Sequence, residues 1–195
     1  MKTALQSIVL AVLALAGFAS SSRAETPAEA IHLPVVFSGG YDTDPRDHGR
    51  PVILVAGALG VPPDVFRDAF SRVHPAGPNA GGPTPDEARQ NKAALMAVLG
   101  PLGITNDRLD AVSNYYRYNK SKGEMWKTKP AVAYAVVENG TITSFVVTDA
   151  GAGYSSPPKV TVAGFTGITP TVQLAFGKAF EENGSISAIQ LPPTK

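Results

Sequence analysis

Val132-Ala133-Tyr134-Ala135-Val136-Val137-Glu138, then Asn139-Gly140, then Thr141-Ile142-Thr143-Ser144-Phe145-Val146-Val147, decides what kind of protein this is. β-branched and aromatic residues dominate both flanks with a period of two, the alternation of a half-buried strand. Asn-Gly between them supplies the two positive φ angles that a type I′ turn needs. The stretch reads as an antiparallel hairpin. Upstream the texture is helical, so the chain is expected to be α+β: an N-terminal bundle of about four short helices followed by a small antiparallel β-repeat module.

A second copy of the hairpin phrase lies 44 positions on, with Asn139-Gly140 matching Asn183-Gly184, Ile142 matching Ile186, Phe145 matching Ile189 and Ala135 matching Ala179. Between the copies stands Gly151-Ala152-Gly153-Tyr154-Ser155-Ser156-Pro157-Pro158, followed by a strand over residues 159–163. The pattern Gly151-x-Gly153-Tyr154-x-x-Pro157-Pro158-x-Val160-x-Val162, preceded by Asn139-Gly140-x-Ile142, resembles the Gly-x-Gly-Tyr β-repeat of bacterial secreted and surface proteins and of phage tail and fibre proteins. The resemblance covers residues 131–191, about a third of the chain. It implies a structural or binding module and carries over no catalytic residues. The helical part resembles only uncharacterised exported bacterial proteins.

Working outward, the chain divides into a signal peptide (residues 1–24), an irregular lead-in (25–50) with a single short strand at 33–37, a helical domain (51–118), a linker (119–130) and the β-repeat domain (131–195). Lys2, the 11-residue apolar run from Ile8 to Phe18, and Ser22-Arg23-Ala24 have the three parts of an export signal. The run falls short of the roughly 20 apolar residues that span a bilayer. The expected location is therefore secreted or periplasmic, with no membrane attachment after cleavage.

In the helical part, residues 51–59 form an apolar helix ended by Gly60, and Pro62-Pro63 opens a second with Val65, Phe66, Ala69, Phe70 and Val73 on its buried face. Thr84-Pro85-Asp86-Glu87 spells a capping box for a third helix, which stops at Gly100-Pro101. Thr105 or Asn106 caps a fourth, with Leu109, Val112 and Tyr116 on one face. Leu59-Gly60-Val61-Pro62 and Leu102-Gly103-Ile104-Thr105 repeat one phrase: helix end, tight turn, apolar anchor, cap. Helix-turn-helix DNA binders use a similar phrase. Here the second helix carries Asp64 and Asp68, and cleavage removes Lys2 and Arg23 from the 17 basic residues, leaving 15 against 16 acidic ones. A net charge of −1 gives no field for nucleic acid. With no cysteine, thiol chemistry and disulfides are excluded, and a mature chain of about 170 residues must fold on its own core.

Two stretches could carry chemistry. Asp42, Asp44, Asp47 and His48 place three carboxylates and an imidazole within seven positions, the kind of loop that calcium binds. Pro45 and Arg46 interrupt the spacing, and no bidentate Glu follows. The same loop equally reads as a turn whose aspartates cap amides and pair with Arg46 and Arg50. His32, His48 and His74 stand apart, without a helical zinc spacing, and no Gly-x-Ser-x-Gly occurs. Residues 115–129 hold Tyr115, Tyr116, Tyr118 and the single Trp126 among five basic residues and one Glu. With Tyr154, the rings of Tyr116, Tyr118 and Trp126 could bind a ligand such as a glycan, or could pack the junction between the two parts.

The expected function is that of an exported, non-enzymatic binding or assembly protein, without cofactor unless calcium occupies the 42–48 loop. Its expected partners are an envelope protein or a cell-surface glycan, and exposed strand edges would suit a homo-oligomer. The alternative is a metal-dependent hydrolase or cation-binding protein built on the same loop.

Overall fold

The computed structural model describes residues 30–74, 82–119 and 122–193. The expected signal peptide lies outside the described residues, as do residues 75–81 of the Pro/Gly loop and Lys120. The fold is α+β. Strand β1 (Ile31–Ser38) comes first, then helices α1 (Val52–Leu59), α2 (Pro63–Ser71), α3 (Pro85–Leu99) and α4 (Asn106–Tyr115). Strands β2 (Val132–Glu138), β3 (Thr141–Asp149), β4 (Lys159–Val162), β5 (Thr171–Ala175) and β6 (Ser185–Gln190) follow. Four strands form one antiparallel sheet in the order β3-β2-β1-β4, and β5 and β6 form a second.

The strand expected at residues 33–37 of the lead-in is present and longer, Ile31–Ser38, and it lies inside the larger sheet, so the helices are an insertion between the first two strands. β1 pairs with β2 through residues 31–34 and with β4 through residues 35–38. Pro34, which has no N–H to donate, stands where one ladder hands over to the other. Leu33, Val35 and Phe37 turn inward against the β core. Partners about a hundred residues downstream leave local pattern reading able to find the strand but not its place in the sheet.

The helices follow their local signals. Gly60 ends α1 at φ 76°, its N–H donating to the Ala56 carbonyl at 2.8 Å. Thr84 and Glu87 form the reciprocal capping box of α3. At Gly100-Pro101 the chain tightens into a 3-10 turn, and Gly103 closes it at φ 83°. Thr105 caps α4 by accepting from the Arg108 amide at 3.2 Å. Leu54, Leu59, Leu99 and Val112 are fully buried at the centre, each contributing about 1.5–3 kcal/mol.

In the β part, Asn139 (φ 50°) and Gly140 (φ 75°) make the expected tight turn between β2 and β3. The second Asn-Gly does something else. β5 and β6 are joined by the nine residues 176–184, which include Ala179, and Asn183 is not among the residues of positive φ. Its side chain is wholly buried instead. The correspondence survives further along, where Ile142 and Ile186 are both buried.

Gly151-Ala152-Gly153-Tyr154 is the crossing point of the fold. Gly153 N–H donates to the Asn183 carbonyl at 2.8 Å and Tyr154 N–H to the Gly184 carbonyl at 3.0 Å, which fastens the second hairpin. The Trp126 indole N–H donates to the Gly153 carbonyl at 2.8 Å, and the Ala131 N–H to the Tyr154 hydroxyl at 3.0 Å, which fastens the junction. Ser155 and Ser156 amides both donate to the Gly40 carbonyl, and Tyr154 stacks on Tyr41 at 5.3 Å, which fastens the lead-in. Gly151 and Gly153 have positive φ, and a Cβ at either would stand 2.6 Å from a backbone carbonyl oxygen. Only glycine admits so close an approach.

The loop 176–184 then locks the β part to the helices. Asn183 Nδ2 donates to the Leu54 carbonyl and to the Tyr116 hydroxyl, each at 2.7 Å, while its Oδ1 accepts from Gly177 N–H at 3.0 Å. Phe180 stacks on Tyr115 at 4.3 Å. Arg108 lies over Phe180 and donates to the Ala58 and Lys178 carbonyls. The carbonyl end of α1 is thereby tied to the loop by a cation, as the helix dipole favours.

Candidate functional site

The 42–48 loop is held by arginines. Asp44 caps a 3-10 turn over Pro45–Asp47, accepting from the Arg46 amide at 2.9 Å, and the Arg46 guanidinium folds back onto the same carboxylate at 2.7 Å. Asp47 is buried, and both its oxygens accept from Arg67 of α2, at 2.7 and 2.8 Å. This forked pair ties the loop to the helix. Hydrogen bonding to Asp47 drives the Arg67 pKa up. Asp42 faces Ser155 and Ser156: the Ser155 hydroxyl donates to its carbonyl at 2.8 Å, and its own N–H donates to the Ser156 hydroxyl at 3.0 Å. His48 closes the turn at φ 52° with an exposed ring. Among the described residues no group of three or more His, Asp or Glu side chains is placed to hold a metal ion.

The Arg46 hydrogen bonds pull the Asp44 pKa down from 3.8 to about 2. A depressed carboxyl favours the folded loop above pH 3.8, and that contribution disappears as pH falls through about 2. Carbon-detected NMR titration is expected to find the Asp44 midpoint near 2, and Arg46→Ala to move it back toward 3.8. A wild-type midpoint at the ordinary value would mean that Arg46 does not hold this carboxylate in solution.

The aromatic residues fare differently from one another. Tyr116, Trp126 and Tyr154 are 4%, 5% and 2% exposed, so each ring is largely packed against protein. Burial pushes the Tyr116 hydroxyl up to about 12, against the opposing hydrogen bond from Asn183. Tyr118 is half-buried, and its hydroxyl donates to the Gly49 carbonyl. Trp126 meets Tyr118 edge-on at 5.5 Å. The segment packs the junction.

Tyr118 nevertheless borders a feature that the sequence reading did not find. A cleft of about 510 Å³ opens where α1, α2 and the end of α4 meet the lead-in. Val52 and Val55 of α1, Phe66 and Phe70 of α2 and Tyr116 after α4 make an apolar floor. These are i, i+3 and i, i+4 pairs, so each helix presents two side chains to the same space. His48, Arg50 and Arg117 stand at the rim with Ser113 and Tyr118. The Arg50 guanidinium lies 4.5 Å from the centre of the Phe70 ring, which orients it over the floor. Among the described residues neither Arg50 nor Arg117 is paired with a carboxylate. The neighbouring acids Asp44, Asp47 and Asp64 are taken up by Arg46 and Arg67 instead.

Sequence reasoning saw Phe66 and Phe70 at helical spacing and assigned them to the core. Core floor and cleft floor use the same residue types, so spacing cannot separate them. The usable signal was Arg50, an arginine directly before the apolar helix. Comparison with protein-family models, curated proteins and solved structures gives no match for this chain.

Proposed function

We propose that this chain is an exported, non-enzymatic binding protein, in which a β-repeat scaffold holds a helical unit that carries the ligand cleft. One observation carries the reading: a cleft of about 510 Å³ lined by apolar side chains from three helices together with a few polar groups, Arg50 and Arg117 among them. That volume is within the range of small-molecule sites, and the division into apolar walls and few polar groups is their usual make-up. The segments that resemble an export signal and a surface-protein repeat agree with it. The competing reading, hydrolysis or cation binding at the 42–48 loop, meets Asp44 and Asp47 carboxylates already occupied by guanidinium groups. The glycan expectation is weakened by the burial of Trp126 and Tyr154.

The test uses the secreted chain processed to Glu25 and the neutral fluorophore N-phenyl-1-naphthylamine. Saturable binding is expected. Ser113 is exposed on α4 and lines the cleft, so Ser113→Trp fills the space without entering the core. It should weaken probe binding by about tenfold or more, roughly 1.4 kcal/mol, at an unchanged melting temperature. A non-saturating signal, or one indifferent to Ser113→Trp, sinks the reading.

A further inference from the structure

The charge at the cleft's mouth says what kind of molecule would enter. Resting on the reading just given, we infer that the cleft takes a small amphiphilic carboxylate, with a hydrocarbon or aryl body on the floor and its carboxylate against Arg50 and Arg117.

The apolar half of the argument is the floor of Val52, Val55, Phe66 and Phe70, which gives a ligand's body nothing to hydrogen-bond. The polar half is the state of the two arginines. In a near-neutral protein with several acids nearby, a guanidinium at a cleft would ordinarily find a carboxylate partner of its own. Asp47 and Asp64 are instead turned to Arg67, and Asp44 to Arg46. Asp44, Asp47 and Asp64 thus share Arg46 and Arg67, no acid among the described residues lines the cleft, and Arg50 and Arg117 keep their charge for it. Arg50 is half-buried and rests on the Phe70 ring, so its planar fork is already partly ordered before a ligand arrives. A guanidinium fork matches a carboxylate in two parallel hydrogen bonds, which a neutral head cannot supply. The Tyr118 hydroxyl is spent on the Gly49 carbonyl and does not compete for the head. A cationic amphiphile would meet two like charges, and a plain alcohol would leave both unanswered.

The experiment is displacement of N-phenyl-1-naphthylamine from the processed chain by decanoate, decanol and decyltrimethylammonium, at low and high salt. Decanoate is expected to displace the probe about tenfold more tightly than decanol, with the advantage shrinking as salt rises. The cationic compound should be the weakest. Arg117→Glu, at an exposed position, should abolish the advantage of decanoate over decanol, read as the ratio of their two displacement constants. Arg50→Met, which keeps the contact with Phe70, should abolish the same ratio. Equal displacement by decanol and decanoate, with the probe still bound in the cleft, overturns the carboxylate inference and spares the binding reading. Decyl phosphate outcompeting decanoate would overturn it also, in favour of a phosphate head. Absence of probe binding in the wild type fails both.

Discussion

Asn183→Ala should lower the stability of the protein by about 3–5 kcal/mol, a loss set by the polar groups it would strand. Asn183 is 0% exposed and serves three partners: the Leu54 carbonyl and Tyr116 hydroxyl at 2.7 Å, and the Gly177 amide at 3.0 Å. Alanine leaves all three without that partner, and each buried polar group left unmade costs about 1–3 kcal/mol. The small cavity adds to this, while the Leu54 carbonyl, inside α1, retains its helical environment and moderates the total. Against a total stability of about 5–15 kcal/mol, the loss is a large fraction. Urea unfolding reads it as a fall in midpoint at constant slope. Because Tyr116 belongs to the cleft floor, the same variant should also loosen probe binding. A midpoint shift worth less than about 1 kcal/mol would mean that the 176–184 loop is not what holds the two parts together.

Gly184→Ala is expected to be comparably damaging. Gly184 has φ 71°, and a Cβ there would stand 2.5 Å from the Tyr154 carbonyl oxygen and 2.6 Å from Leu54 Cδ2. Gly164 is the natural control, with φ 84° and nothing within 4 Å of its Cβ position. Both substitutions carry the left-handed strain of about 1–2 kcal/mol, so the excess at Gly184 isolates the close approach. The clash falls on backbone of the Gly-x-Gly-Tyr segment, which cannot rotate aside, and adds about 1–3 kcal/mol or more as overpacking. Gly164→Ala should fold normally with a modest fall in melting temperature, while Gly184→Ala should yield little folded protein. Equal effects at the two sites would refute the packing of Gly184 against Tyr154 and Leu54.

What the sequence made legible is whatever it encodes over short distances. Gly60, the Thr84–Glu87 box and Asn139-Gly140 act within a turn of themselves, and each stands in the structure as its local chemistry dictates. β1 was legible as a strand at 33–37, but its place inside the sheet was not, because its partners are distant. Asn183 escaped for a sharper reason. Asn-Gly signals a turn when the asparagine backbone takes positive φ, yet here the amide side chain is wanted inside, and the two uses share one dipeptide. The 42–48 loop showed its charges but hid Arg67, the partner that decides their use, on a helix 20 positions away. Of the cleft, only Arg50 left a trace in the sequence, since the space exists only where three helices meet.

The position of β1 has a further consequence for how the protein is made. The second half of this strand is ordered in the sheet by β4, whose residues 159–162 are among the last third of the chain to emerge. Val35 cannot meet Val162 until nearly the whole polypeptide is available. Non-local pairings of this span close slowly, because the entropy of the long loop is lost before any contact compensates it. The larger sheet is therefore completed only once the C-terminal strands have arrived, and the N-terminal strand waits in the meantime.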